Sequence, residues 1–418
     1  MKKILFVSAL DFKEKSIQVI RKTPEAYAAA GWDVDYVVAR DDVKNGNYSY
    51  ERKITPENIT LDRIQWRLKV FRGLFNGPFR ILLNKLAGWI AIIELCLRAK
   101  KLMKSKQYDV IYGYEYHGVL AAYLCILTTK RKTRAIFVSR FQGTFFEGIL
   151  QSGKIISLFF NLDHIFALSL KADLLIMTND GTLGDRFLKR LHKPDFMSSK
   201  FLFLANGVDK VEPASCNQKL HIQQTLAENT VNLVCLSRLV GWKRVERSIY
   251  LMDALRNHKS VYSFHLEIIG GGPEESNLKA LARDLQLESC ITFTGPISNE
   301  KARQKLFNHD FFLSFYDSSN VGNPLFEAFR ANLIPVTLNN GATSEWVIHK
   351  ETGLLYNINP IDYKLIARDI NYLVSNSDAF SNILKNIKNF EYDKIKTWKE
   401  RLETEIEYVD SLLMSSKK

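Results

Sequence analysis

The feature that most constrains this chain is an alternation of short apolar runs, rich in β-branched residues, with stretches of helical period, repeated in two series. In the first series Lys3–Ser8, Asp33–Ala39, Asp109–Gly113, Arg134–Ser139, Asp173–Met177 and Phe201–Leu204 read as strands, and most segments between them read as helices. In the second, the strand candidates are Val231–Leu236, Phe264–Ile269, Cys290–Thr294, Asp310–Phe315 and Leu333–Leu338. Such alternation builds a parallel sheet covered on both faces. At 418 residues the chain exceeds one ordinary core. The reading is therefore an α/β protein of two domains, residues 1–211 and 231–390, joined by the polar segment 212–230. Residues 391–418 are expected to form a helix that packs back on the first domain. Two such domains leave a cleft at the carboxyl ends of their strands, where open α/β sheets take ligands.

Residues 61–106 break the rhythm. Ile64, Leu68, Phe71 and Phe75 recur at helical spacing, and after the Gly77-Pro78 break so do Phe79, Leu83, Leu86, Ile90, Ile93 and Leu97. From Arg63 to Lys106 eleven cations stand against one acid, Glu94, a balance of +10 within +13 for the whole chain. The longest uncharged apolar stretch, Leu86–Ile93, is far short of the ~20 residues that span a bilayer. Basic helices interleaved with Trp66, Phe71, Phe75, Phe79 and Trp89 suit an anionic membrane surface; the alternative is a pair of core-packing helices with solvated basic faces. No recognised nucleic-acid motif accompanies the charge, so nucleic acid is not an expected partner.

Five scattered cysteines, Cys96, Cys125, Cys216, Cys235 and Cys290, form no C-x-x-C pair and favour reduced thiols in a cytosol. Asp11 interrupts the first apolar run before a signal-peptide core forms, so that run reads as a strand. Asp33-Val34-Asp35 has the form of a metal-binding D-x-D, yet it opens an alternating strand and reads as solvent-facing strand residues. No metal is expected.

Arg238 and Lys243, in Leu236-Ser237-Arg238-Leu239-Val240-Gly241-Trp242-Lys243-Arg244, follow a strand and precede a helix. There two cations can neutralise a diphosphate as its charge grows, or they are surface cations beside a turn. Gly270, Gly271 and Gly272, ahead of Pro273, let backbone approach backbone or ligand closely. The loop Ser319-Asn320-Val321-Gly322-Asn323-Pro324 leads into a helix whose positive end, with the amides near Gly322 and Asn323, forms an anion cradle. Glu327, expected in the first turn, either accepts hydrogen bonds from a ribose diol or complements the helix dipole. Nearer the N-terminus, His117 follows a strand and either faces the cleft beside Glu115 or merely starts a helix.

The ordered series Arg238 and Lys243, Gly270–Glu274, Ile291–Gly295, Ser319–Glu327, Gly341–Glu345 and Glu351–Leu355, preceded by Asn206-Gly207-Val208-Asp209, resembles the large retaining glycosyltransferase family four, the glycosyl transferases group 1. The resemblance covers nearly the whole chain. It implies the GT-B fold, two Rossmann-like domains facing across a cleft, with a nucleoside-diphosphate sugar held mainly by the C-terminal domain. By this match Arg238 and Lys243 hold the donor diphosphate, Glu327 the ribose, and Gly322 and Asn323 place backbone donors near phosphate and sugar. No cofactor is implied beyond the co-substrate.

Three positions depart from the family pattern. Ser319 stands where a second glutamate is usual, eight residues before Glu327. Gln142, ahead of Gly143, replaces the histidine of a His-Gly pair, so it can orient a hydroxyl but cannot exchange a proton. Ser8-Ala9-Leu10-Asp11-Phe12 lacks the glycines expected after the first strand. The expected function is retaining transfer of a sugar to a hydroxyl of a lipid-linked glycan in surface polysaccharide synthesis, such as lipopolysaccharide or capsule, by a protein docked on the cytoplasmic face of the membrane. The alternatives are a nucleotide-sugar epimerase of the same fold and a non-catalytic, membrane-associated nucleotide-binding partner.

Overall fold

The computed structural model describes residues 1–10, 18–40, 58–65, 78–129, 135–210 and 229–416, which fall into two units. The first comprises Met1–Asn179, Leu183–Asn206 and the C-terminal segment from Trp398; the second comprises Asp180–Thr182 and Gly207–Thr397.

In the first unit β1 (Lys3–Ser8), β2 (Asp33–Arg40), β3 (Ile59–Gln65), β4 (Val110–Tyr114), β5 (Ile136–Phe141), β6 (Leu174–Thr178) and β7 (Phe201–Leu204) form one parallel sheet in the order β3-β2-β1-β4-β5-β6-β7. Its helices are α1 (Gln18–Ala29), α2 (Pro78–Ser105), α3 (Glu115–Thr128), α4 (Phe146–Gln151), α5 (Ile156–Phe159), α6 (Leu162–Ser169), α7 (Gly184–Leu191) and α8 (Pro194–Ser199). The strands read as unbroken apolar runs because both faces are buried. Leu5, Val7, Ile111, Phe137 and Leu175 enter one core, while Ile4, Phe6, Val110, Val138 and Leu174 enter the other.

The second unit repeats the plan with β8 (Thr230–Leu236), β9 (Ser263–Ile269), β10 (Ile291–Gly295), β11 (Phe311–Ser314), β12 (Ile334–Leu338) and β13 (Leu354–Tyr356), in the order β10-β9-β8-β11-β12-β13. Around this sheet lie α9 (Glu246–Arg256), α10 (Glu275–Asp284), α11 (Asn299–Leu306), α12 (Asn323–Arg330), α13 (Tyr363–Ser375) and α14 (Ser377–Lys394). Each sheet reverses its winding once, between β1 and β4 and between β8 and β11. A crevice opens at the carboxyl ends of strands at such a switch point.

One device recurs at strand starts. Asp109, Asp173 and Asp310 each stand just before a strand and accept the amide N–H of a residue on the neighbouring strand: Lys3 at 2.8 Å, Phe137 at 3.0 Å and Asn232 at 2.9 Å. These aspartates were read as strand residues; they act as register pins one step outside the strand.

The C-terminal helix α15 (Trp398–Ser416) belongs to the first unit, where Trp398, Leu402, Val409 and Leu413 join the core of Ile4 and Phe6. Arg401 and Glu405 are paired at 2.5 Å with both side chains buried, and Tyr112 Oη donates to Glu405 Oε1 at 2.8 Å. Residues 391–394, read as part of that helix, instead complete α14 in the second unit.

Two further sequence expectations change. Ile64, assigned to a basic helix, lies in strand β3, which pairs with β2 throughout its length; Ile59 and Ile64 enter the cores on opposite faces of the sheet, and edge pairing with β2 outweighs the helical spacing. Asp33 and Asp35 do not face solvent together: Lys106 Nζ binds them at 2.7 and 2.6 Å, and buried Asp35 also accepts from Tyr108 Oη at 2.5 Å. Residues 66–77 of the basic region and 211–228 of the expected linker lie outside the described residues, as do Asp11 and Phe12.

Candidate functional site

In the second unit the candidate residues gather at the switch point. β8 ends at Leu236, and the chain turns through Ser237–Val240 into a short 3-10 turn, Gly241–Lys243, before α9. Three glycines hold this turn from behind. A side chain on Gly270 would bring its Cβ to 1.9 Å from the Ser237 carbonyl oxygen, and one on Gly272 to 2.2 Å from that of Leu239. With φ at +141°, Gly270 occupies backbone space that other residues avoid. Hydrogen bonds from Ser237 N to Ile269 O and from Leu239 N to Gly271 O, both 3.1 Å, fix the two backbones together. The glycines thus position Arg238, which is exposed at the strand end.

Lys243 points its ammonium at aromatic faces, 4.2 Å from the Trp242 ring centroid and 3.5 Å from that of Tyr316. Burial, followed by the charge of Arg238, pushes its pKa down to about 7. Among the described residues no carboxylate sits within ion-pair distance of it. The two cations are therefore close enough to repel, and one stands half-buried with only ring quadrupoles to offset desolvation. An anion placed there would relieve both costs.

The loop after β11 is built as a rigid frame. Asp317 N donates to Trp242 O at 3.1 Å, tying this loop to the Lys243 turn, and Arg247 of α9 binds Phe315 O at 2.7 Å and Asp317 at 2.6 Å. Buried Asn320 accepts from Tyr316 N at 2.9 Å and donates to Leu338 O at 3.2 Å and to Asn340 Oδ1 at 2.7 Å. Asn340 Nδ2 in turn donates to Tyr316 O at 2.7 Å. Asn320, a sequence candidate for ligand contact, has its side chain committed to this frame, and Val321 is buried. Ser319 Oγ accepts from Val321 N at 3.0 Å. Helix α12 then starts at Asn323 with Pro324 in its first turn and extended Gly322 before it, so no side chain caps its leading amides.

Glu327 is the fifth residue of α12, just past the first turn where the sequence placed it, and is buried. Burial pushes its carboxyl up to about 7, against the opposing charge of Arg303. Among the described residues no donor hydrogen-bonds this carboxyl. A buried acceptor without donors is suited to paired hydroxyls supplied by a ligand.

Sequence reasoning missed Trp242 and Tyr316 as walls of the lysine site, and Arg247, Asn340 and Thr343, whose hydroxyl accepts Asn320 N at 3.4 Å, as supports of the loop. Asn339-Asn340-Gly341 after a strand was the available signal, since such residues stabilise tight turns.

At the switch point of the first unit, Glu115 takes a left-handed backbone with φ at 55° and accepts the Gln142 amide N–H at 2.8 Å. Tyr114 Oη donates to Gln142 Oε1 at 2.8 Å, which leaves the Gln142 amide group oriented by its carbonyl end. Gly143 follows with φ at +112°. His117 does not join this group. Its ring lies 3.7 Å from that of Tyr116 and so near Gly88 of α2 that an added Cβ there would meet Nε2 at 3.0 Å. His117 thus packs against α2, whereas Glu115 reaches the end of β5.

Comparisons with known proteins agree with this fold. Residues 217–390 match the family model described as glycosyl transferases group 1. A GDP-mannose-dependent alpha-(1-6)-phosphatidylinositol monomannoside mannosyltransferase from Mycobacterium tuberculosis is 29% identical over 171 residues, covering 38% of this chain and 43% of that protein. The matched stretch thus spans less than half the length of that relative. Among solved structures, HepE from Anabaena in complex with UDP aligns at TM-score 0.66 and 17% identity, covering 98% of this chain and 100% of that one. WaaG, a glycosyltransferase involved in lipopolysaccharide biosynthesis, aligns at TM-score 0.64 and 15% identity over 98% and 99%. The chain has the GT-B fold, and across residues 217–390 its sequence matches the glycosyl transferases group 1.

Proposed function

We propose that this chain is a retaining glycosyltransferase that moves a sugar from a nucleoside-diphosphate donor to a hydroxyl of a lipid-linked glycan. The observation that carries the reading is the placement of two groups at one switch point: a lysine of depressed pKa beside Arg238, and a buried carboxyl that no donor meets among the described residues. A diphosphate answers the first and a ribose diol the second. Arg238 and Lys243 stabilise the pyrophosphate as the bond from the anomeric carbon to the phosphate oxygen breaks. The acceptor oxygen bonds to that carbon on the face the phosphate leaves, and its proton passes to the departing phosphate oxygen. Positioning by the loop of Ser319–Asn323 supplies the rest. The mechanism uses no protein nucleophile and gives His117 no part.

The family match and the GDP-mannose-dependent relative support a nucleotide-sugar donor, and the lipid that relative is named for supports a lipid-linked acceptor. The basic helix α2 supports an anionic membrane as partner on the cytoplasmic side; among the described residues no helix is long and apolar enough to cross one.

Turnover of a panel of nucleotide sugars, ranked first by thermal shift, tests the reading. Arg238→Ala and Lys243→Ala are each expected to lower kcat/KM by roughly 100-fold or more with the melting temperature little changed. Near-normal rates in both would refute it. Conversion of the donor sugar without acceptor would instead identify an epimerase.

A further inference from the structure

We propose that the first unit docks on an anionic bilayer through one continuous apolar ridge formed by α2, α5 and α6, flat on the lipid and rimmed by the cations of α2. This deepens, and rests on, the membrane-partner reading above by naming the surface and its mode of contact.

Burial divides the apolar residues of α2 in two. Small residues face the sheet: Ala87, Ala91 and Ala99 are buried with Ile92 and Leu95. The larger ones face out, with Leu82, Leu86, Trp89, Ile93 and Leu97 exposed by 64, 50, 42, 53 and 61%. Their spacing of three and four residues places them on one stripe of about 22 Å along the helix. A helix that buries one apolar face and leaves a second stripe of large apolar residues exposed departs from an ordinary soluble surface.

The stripe continues onto neighbouring helices. Lys85 of α2 bonds Asp163 of α6 at 2.6 Å, so the two helices touch beside Leu82 and Leu86. α6 is anchored from below by buried His164, whose ring lies 5.0 Å from those of Tyr116 and Phe146. Next to this anchor Ile156, Phe159, Phe160 and Phe166 stand 79, 78, 58 and 52% exposed.

Charge selects lipid as the occupant. From Gly148 to Lys171 the sequence holds a single carboxylate, Asp163, and Lys85 engages it, while Lys154 and Lys171 are exposed. From Ile81 onward α2 carries Lys85, Arg98, Lys100, Lys101 and Lys104 against Glu94, with Arg98 3.9 Å from Asp62 of β3. Apolar side chains that enter the acyl boundary, with cations at headgroup level and almost no acid between, match an anionic leaflet. The ridge lies in the membrane plane, not across it.

Cosedimentation of the full chain with vesicles of phosphatidylcholine, with and without phosphatidylglycerol, tests the proposal. The variants are Phe159→Ser with Phe160→Ser, Leu86→Ser with Trp89→Ser, and Lys101→Glu with Lys104→Glu. Wild type is expected to bind anionic vesicles at low salt, with each double variant at least ~10-fold weaker and all binding reduced by high salt. Melting curves and donor-induced thermal shift verify that the variants fold. Unchanged binding by both apolar variants overturns the ridge but not the membrane partner. Absence of wild-type binding overturns both, while sugar transfer to a soluble acceptor would leave the enzyme reading standing. Equal binding to neutral and anionic vesicles removes the role of the cations. Self-association in solution that the apolar variants abolish, without vesicle binding, assigns the ridge to a second copy and overturns the proposal.

Discussion

Binding of a nucleotide sugar should move protons in opposite directions on either side of neutrality. Lys243 and Glu327 both sit at about 7 in the unliganded chain, the first pushed down and the second pushed up. A diphosphate beside Lys243 favours its charged form, so binding takes up a proton wherever the free lysine is neutral. A ribose diol donating to Glu327 favours the carboxylate, so binding releases a proton wherever the free carboxyl is protonated. At pH 8 the lysine is neutral in roughly nine molecules in ten, giving an uptake of about 0.9 proton; at pH 6 the carboxyl is protonated to the same extent, giving a release of about 0.9. Near pH 7 the two cancel. Calorimetric titration in buffers of different ionisation enthalpy measures this count directly. An intact nucleotide sugar is the correct ligand, because its phosphates do not titrate in this range. Lys243→Ala should abolish uptake at pH 8 and leave release at pH 6; Glu327→Gln should do the reverse. A proton count of zero at both pH values, or uptake at pH 8 that survives Lys243→Ala, would refute the reasoning.

Two further outcomes concern the supports. Gly270→Ala must displace the Ser237 carbonyl and strain a backbone at φ +141°, so it should cost about 1–3 kcal/mol in urea unfolding and weaken donor binding roughly 10-fold by moving Arg238. Equal affinity would separate the glycines from the site. Glu405→Ala leaves buried Arg401 uncompensated and should cost about 3–5 kcal/mol by the same assay; a loss under about 1 kcal/mol would mean that water reaches the pair.

The parallel architecture was readable because both faces of each sheet are buried, which leaves continuous apolar runs such as Ile4–Val7. Where burial is weaker the signal fails. β13 has only three residues, and β3 is an edge strand whose apolar positions also fit a helical period. Within the site, the positions of Arg238, Lys243 and Glu327 at strand and helix ends were legible, since they follow from the order of elements. Direction was not. His117 lies two residues from Glu115 in sequence yet packs against α2 while Glu115 reaches the end of β5, and no pattern in Tyr114-Glu115-Tyr116-His117 distinguishes the two. Nor does sequence reveal which polar residues are already satisfied, as the loop after β11 illustrates.

That distinction separates ligand-binding residues from framework residues and leads to a last prediction. Asn320 and Glu327 are both buried polar groups at one switch point and both resemble site residues in sequence. Asn320 spends its side chain on Tyr316, Leu338 and Asn340; Glu327 meets no donor among the described residues. Asn320→Ala strips a partner from buried Tyr316 N and Leu338 O and from half-buried Asn340, and should destabilise the chain by about 2–4 kcal/mol at any pH near neutrality. Glu327→Gln removes the cost of an ionised carboxyl in a buried place. Its native pKa lies above the unfolded value, so the carboxyl's contribution is intact below pH 4.5 and is lost as pH rises through about 7. The glutamine variant should therefore gain roughly 2–3 kcal/mol over wild type at pH 8, and little near pH 4.5. Both variants should bind donor more weakly, the first because the loop moves and the second because the ribose loses its acceptor. Unfolding at pH 8 alongside donor titration decides the matter: if Glu327→Gln is destabilised like Asn320→Ala, the carboxyl belongs to the frame, and the ribose must be held elsewhere.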